Sequence, residues 1–108
     1  MRLSISDIGG EVVKEDDRYK VIDNKTLNNL VVSSTQLYAG KSTSGHSHKG
    51  QEEVYYFVHG SGKMELDEES ISVRAGDVVL IEDGVFHRVH AGHHGCYFVC
   101  VFDGTRNH

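Results

Sequence analysis

The sequence predicts an all-β fold, either a sandwich or a small barrel of the jelly-roll type. From residue 30 onward, apolar and polar residues alternate with a period of two rather than 3.6, which is typical of strands with one buried face. The 108 residues include twelve glycines and no proline, and glycine or polar turns separate the apolar runs at short intervals. Several of these turns need the positive φ that glycine adopts easily, which favours antiparallel strands joined by short connections.

Seven or eight strands are predicted, with no convincing helix between them. We place them at residues 30–38, 45–48, 53–59, 62–67, 70–74, 78–82, 86–91 and 95–102. The first 29 residues are less regular, with short extended pieces predicted at 12–13 and 19–22. We therefore divide the chain into an N-terminal extended segment, residues 1–29, and a barrel, residues 30–108.

The charge pattern argues against nucleic acids and anionic membranes as partners. Sixteen acidic residues exceed eleven basic ones, the net charge is −5, and the basic residues are scattered singly. The N-terminus reaches Asp7 and a glycine pair before a long apolar run develops, so we expect no signal peptide, no membrane span and a cytoplasmic protein. Cys96 and Cys100 are four apart in a predicted strand, which separates their Cα atoms by about 13 Å and predicts two reduced thiols.

The short chain favours a homodimer, a bound metal, or both. A domain of this size buries only about two-thirds of the surface that its unfolded chain exposes. The N-terminal segment of residues 1–29 offers strands that can be added to a neighbouring sheet to cover an open edge. In a dimer, these strands can also be exchanged between the two chains. We therefore expect a homodimer.

Eight histidines in a chain of this length point to a metal site. His46 and His48 have the spacing of two that places both imidazoles on one face of a strand. Glu53 opens the next predicted strand, and His87 follows the turn at Gly84. Three imidazoles and one carboxylate are a donor set that divalent manganese, iron, cobalt, nickel or zinc accepts, so we expect one such ion.

The spacing of these residues resembles the cupin family. Gly40, five residues, His46-Ser47-His48, four residues, Glu53, six residues and Gly60 reproduce the first cupin motif. Fifteen residues later, the stretch from Gly76 to His87 is similar to the second cupin motif. It departs from that motif at two positions, where the family's proline is Glu82 and its closing asparagine is Ala91. Neither of these positions is a metal ligand in the family.

The resemblance implies a jelly-roll barrel, also called a double-stranded β-helix, with His46, His48, Glu53 and His87 as the metal ligands. From Glu53, strand alternation points Tyr55, Phe57 and His59 into the barrel, so Tyr55 and His59 are candidate catalytic residues. The alternative, that both are packed barrel residues, stays open. A histidine of the polar segment at His90, His93 and His94 is a further acid or base candidate if that segment closes one mouth of the barrel; otherwise it is a solvated turn.

One barrel serves many activities, so the site has to decide the function. The favoured hypothesis is an isomerase or epimerase acting on a sugar, sugar phosphate or nucleotide sugar, as in small cupins that resemble sugar-phosphate isomerases. In such a reaction a metal polarises a carbonyl while a base removes the neighbouring proton. The alternatives are an Fe(II)-dependent dioxygenase with the same ligands and a non-enzymatic cupin that binds a small ligand.

Overall fold

The computed structural model describes residues 1–47 and 49–104. Its regular secondary structure consists of seven β-strands with no helix among the described residues, which confirms the predicted all-β fold. The strands are β1 (Glu11–Glu15), β2 (Tyr19–Asn24), β3 (Leu30–Leu37), β4 (Glu53–Leu66), β5 (Glu69–Arg74), β6 (Val78–Ile81) and β7 (His87–Asp103). His48 and residues 105–108 of the predicted barrel lie outside the described residues.

The two longest strands of the barrel are β4, with 14 residues, and β7, with 17 residues. They pair antiparallel from Glu53 opposite Phe102 to Leu66 opposite His87. The strand order is β1-β2-β3-β7-β4-β5, and β6 pairs with the first part of β4 while β5 pairs with the last part. β4 and β7 therefore pass from one half of the fold into the other, which is the jelly-roll arrangement.

Glycines allow β4 and β7 to bend together where they pass from one half of the fold into the other. The β4–β7 register shifts between Phe57 and His59 and again between Gly60 and Gly62. Gly60 has a φ of 77°, and a Cβ built there would lie 2.1 Å from the carbonyl oxygen of Gly95. The break predicted between strands 53–59 and 62–67 is therefore wrong: it is a bend inside one strand, because β7 continues to pair across it. Likewise, the predicted strands 86–91 and 95–102 are two halves of β7.

The core lies between the two halves and is filled by alternate residues of the long strands. Its largest fully buried apolar side chains are Phe57, Phe98, Phe102, Leu37, Met64 and Val89. On β7, the face that carries Cys96, Phe98 and Cys100 points inward. Both cysteines are buried thiols, as predicted.

The N-terminal segment extends the sheet of its own chain in this structure. β2 pairs with β3 along its whole length, and β1 pairs with β2 as a hairpin. Before the hairpin, Ile8 is buried and its carbonyl accepts a 2.6 Å hydrogen bond from Nδ2 of Asn24. The division of the chain at residue 30 and an exchange of this hairpin between two chains stay predictions. Across residues 1–47 and 49–104, we find no helix that is long and apolar enough to cross a bilayer.

Candidate metal centre

The candidate metal centre is formed by His46, Glu53 and His87. Glu53 is the first residue of β4 and His87 is the first residue of β7. His46 lies beside His87, and their main chains exchange two hydrogen bonds, of 3.2 Å from His46 N and 2.9 Å from His87 N. The strand predicted at 45–48 is thus reduced to a single bridge at His46 among the described residues.

The segment before His46 is held along β7 by hydrogen bonds around Thr43. Thr43 N donates to the Val89 carbonyl at 2.9 Å, and Val89 N donates to Thr43 Oγ1 at 3.0 Å. The Arg88 Nε donates to the Thr43 carbonyl at 2.9 Å. These contacts fix the position from which the His46 side chain enters the site.

The donor atoms of the three residues converge in the protein interior. One ligand atom from each of His46, Glu53 and His87 lies within 4.8 Å of the other two. Glu53 Oε1 is 3.4 Å from His87 Nε2, and both side chains are almost completely buried. The His46 and His87 rings are 4.4 Å apart in an edge-to-face arrangement. Donors that share one ion each lie about 2.0–2.2 Å from it and so about 3–4 Å from each other, a spacing that the Glu53–His87 pair has.

Hydrogen bonds orient both imidazoles for metal binding. His87 Nδ1 is 2.9 Å from the Val85 carbonyl oxygen, and His46 Nδ1 is 3.2 Å from the Ser44 carbonyl oxygen. Because a carbonyl only accepts, each Nδ1 carries the donated hydrogen, and each neutral ring keeps its lone pair on Nε2. Both Nε2 atoms are buried. Such outer contacts are the usual way in which proteins aim histidine ligands at a transition metal.

Three of the four ligands implied by the sequence therefore lie together, and His48 lies outside the described residues. Neutral imidazoles and one carboxylate suit a divalent transition ion and leave it with net positive charge. This donor set fits a metal, and it does not distinguish manganese, iron, cobalt, nickel and zinc from one another.

A small cavity of about 40 Å³ adjoins His46 of the metal-ligand cluster. Its lining residues are Lys14, Tyr19, Val21, Thr35, Thr43, Ser44, His46, Tyr55, Phe98 and Cys100. The lining mixes apolar and polar side chains, as small-ligand pockets do, but the volume is far below the roughly 300–1,000 Å³ that such pockets usually have. Lys14, Tyr19 and Thr35 were not predicted from the sequence because they come from β1, β2 and β3, outside the two motifs. The alternation of residues 19–22 was the only signal for Tyr19.

Of the two candidate catalytic residues, the structure brings only Tyr55 to this cavity. The Tyr55 ring lies edge-on to His87 at 5.7 Å and stacks on Phe98 at 5.0 Å. His59 is exposed, and its ring is 6.2 Å from that of Tyr97. The prediction that His59 lines the barrel is wrong, because the register shift after Phe57 reverses the alternation of β4.

The segment with His90, His93 and His94 belongs to β7 rather than to a loop. His90 bridges neighbouring strands on the outside of the barrel: its Nδ1 is 2.6 Å from Ser42 Oγ and its Nε2 is 2.5 Å from Glu65 Oε2. His93 and His94 are exposed. The possibility that one of these histidines serves the metal centre as an acid or base therefore has no support from their positions.

Comparison with known proteins identifies the family. The family model for the cupin domain matches residues 34–102. The oxalate-binding protein of Thermotoga maritima is 32% identical over 54 residues, which are 50% of this chain and 45% of that protein. The uncharacterized protein MJ1618 of Methanocaldococcus jannaschii is 38% identical over 50 residues, 46% of this chain and 40% of that protein. Each match thus spans less than half the length of the curated relative.

A solved structure shows the same fold. The crystal structure of a predicted oxalate decarboxylase from Thermotoga maritima superposes with a TM-score of 0.79 and 20% identity, covering 97% of this chain and 100% of that chain. The jelly roll is therefore shared over almost the whole chain. Together with the family match over residues 34–102, this places the chain in the cupin family.

Proposed function

We propose that this cupin is a metal-dependent isomerase or epimerase acting on a small carbohydrate derivative that carries an anionic group. The observation that carries the proposal is the placement of the His46, Glu53 and His87 donors beside a cavity that also contains Tyr55 and Lys14. The cavity itself is small, about 40 Å³, so a ligand of this kind would extend out through its mouth.

The chemistry divides between the metal site and Tyr55. A divalent ion held by the three ligands would supply a Lewis acid that polarises a substrate carbonyl and stabilises the negative charge that develops on its oxygen. Tyr55 is the residue that we propose moves the proton on the neighbouring carbon, since Tyr55 lines the cavity and its ring contacts His87. The apolar ring of Phe98, stacked under Tyr55, helps to keep water away from the reacting atoms.

Binding without catalysis is the second candidate function. The exposure of His59 removes one of the two proposed proton carriers from the cavity. A pocket with a metal and few acid–base groups suits retention of a small chelating carboxylate, and a relative described as an oxalate-binding protein supports this alternative.

Solvent-exchange NMR separates the two functions. The full chain, loaded in turn with manganese, zinc or iron, is incubated in deuterated buffer with a panel of aldoses, ketoses, sugar acids and sugar phosphates. An isomerase or epimerase exchanges the proton next to the carbonyl, and Tyr55→Phe should slow this exchange by about 100-fold or more with metal content unchanged. Calorimetric binding of oxalate without exchange of any sugar would favour the binding protein, and oxygen uptake by the iron form alone would favour a dioxygenase.

A further inference from the structure

We infer that Lys14 is the specificity-determining residue that selects an oxyanion group, a carboxylate or a phosphate, on the ligand of the metal pocket. The inference rests on the proposed function, because Lys14 lines the same cavity as His46 and Tyr55. A ligand that bridges the metal centre and Lys14 would bind the metal through oxygen atoms at one end. Its other end would carry a negatively charged group that faces the ammonium group of Lys14.

A β-bulge in the N-terminal hairpin delivers Lys14 to the cavity. Val12 lies opposite Ile22, but the next pair is Lys14 opposite Val21, so the register shifts between these two pairs. Regular pairing would instead place Lys14 opposite Lys20, on the other face of the hairpin. Because cross-strand partners share a face, Lys14 lies on the same face as Val21, which lines the cavity; Lys14 itself is exposed, so it lies at the edge of the cavity. Bulges beside functional sites commonly redirect a side chain in this way.

The same bulge separates Lys14 from Lys20, which would repel each other in the regular register, and leaves Lys14 available to a ligand. Glu15, rather than Lys14, now lies opposite Lys20, and the two form an ion pair at 3.9 Å. Nearby cations are paired too, with Arg18 2.9 Å from Asp16 and Lys25 3.7 Å from Glu11. Within the described part of the chain, Lys14 has no acidic side chain within ion-pair distance.

Two positive poles would therefore face one pocket. A divalent ion would keep a net positive charge, because Glu53 is the one carboxylate among the described ligands. Lys14 would add a second positive charge near the cavity mouth. Tyr19 and Phe98 also line the cavity and are buried, whereas Lys14 is exposed at its edge. An oxyanion would neutralise both poles, whereas a neutral ligand would leave Lys14 without a counter-charge.

Ligand titration of the cobalt form tests this assignment. The visible bands of Co(II)-loaded full-length protein are followed while oxalate, inorganic phosphate or neutral imidazole is added. Lys14→Met should weaken oxalate or phosphate binding by about tenfold or more and leave the affinity for imidazole unchanged, because only the oxyanions use the ammonium charge. The matched control is Lys20→Met, which removes the neighbouring lysine of the hairpin and should change every affinity by less than about twofold.

The possible outcomes separate this inference from the proposed function. Equal oxyanion affinities in the wild type and Lys14→Met would overturn the role of Lys14 and leave the metal pocket standing. A wild-type cobalt spectrum that responds to neither oxyanion would overturn both. If Lys14→Met lost metal or structure, Lys14→Arg and Lys14→Gln would decide: retention of oxyanion binding only with arginine supports a charge role, and equal behaviour of the two contradicts it. A loss confined to oxalate supports a carboxylate ligand, and one confined to phosphate supports a phosphorylated ligand.

Discussion

Glu53 Oε1 lies 3.4 Å from His87 Nε2, although the two residues stand at opposite ends of the β4–β7 ladder. Glu53 pairs with Phe102 at one end, and His87 pairs with Leu66 at the other. They meet because both strands bend at their glycines and fold the two ends of the ladder toward each other. The metal centre is therefore a product of this bend.

The first prediction concerns the ligands themselves. Loss of an outer-sphere partner of a metal ligand lowers metal affinity by about 10- to 100-fold. Glu53→Gln and His87→Ala should each lower it by more than this, because each variant removes a donor atom. Metal content of untagged protein, measured by elemental analysis, checks this. His59→Ala is the control: its side chain is exposed, so the variant should bind as much metal as the wild type. Stoichiometric metal in both ligand variants would contradict the site.

Metal removal should lower thermal stability. A ligand that binds only the folded state adds about 2.7 kcal/mol at a free concentration of 100 times Kd, which for a domain of about 100 residues raises Tm by roughly 10 °C or more. We expect this difference between metal-loaded and chelator-treated protein in differential scanning calorimetry. In His87→Ala the same addition of metal should leave Tm nearly unchanged, and a full shift in that variant would assign the stabilisation to another site.

Gly60→Ala should destabilise the fold strongly. The new Cβ would lie 2.1 Å from the Gly95 carbonyl oxygen, so β4 and β7 would have to separate at the bend. Gly76→Ala is a matched control, since Gly76 also has a positive φ of 98° but a Cβ there meets no atom within 4 Å. Urea unfolding should show a loss of about 1–2 kcal/mol for the control, from backbone strain alone, and a larger loss for Gly60→Ala. Equal losses would show that the close approach costs nothing.

Cys96 should make stability fall with rising pH in the alkaline range. Burial raises the pKa of the Cys96 thiol from 9.0 to about 11. Between these values the unfolded chain loses this proton while the folded chain keeps it, so the free energy of unfolding decreases as pH rises. The contribution is flat below about pH 9 and is at most about 1.4 kcal/mol per pH unit above it. Urea unfolding from pH 8 to 10.5 should give a shallower pH slope for Cys96→Ala than for the wild type.

The homodimer expected from the short chain is tested by light scattering on the full-length protein. A mass twice the 12.0 kDa of one chain is the expected result. Cross-linking or mixed-isotope mass spectrometry would then show whether the β1–β2 hairpin is exchanged between chains. A monomer at all concentrations would refute the prediction and show that one chain covers its own sheet edges sufficiently.

Local sequence patterns predicted most of the fold and part of the site. The period-two alternation identified the strand regions because a pleated strand sends successive side chains to opposite faces. The cupin motif spacing selected His46, Glu53 and His87, which the structure brings together. Counting by alternation from Glu53 also placed Tyr55 in the barrel correctly.

Alternation failed where a strand changes register with its neighbour. It pointed His59 inward, but the shift after Phe57 turns this residue to the surface. It gave no sign of Lys14, which reaches the cavity through the bulge between Val12 and Lys14. Glycine content alone did not distinguish a turn from the bend at Gly60.

The sequence by itself determined that this chain forms strands and carries the cupin ligands. Pleat periodicity and motif spacing are local properties that can be recognised within one continuous segment of sequence. Only the tertiary structure decided which residues share the pocket with His46 and His87. A bulge forms when one strand pairs with another, and its effect on side-chain direction depends on both partners. The exposure of His59 and the position of Lys14 at the edge of the cavity are both consequences of that pairing.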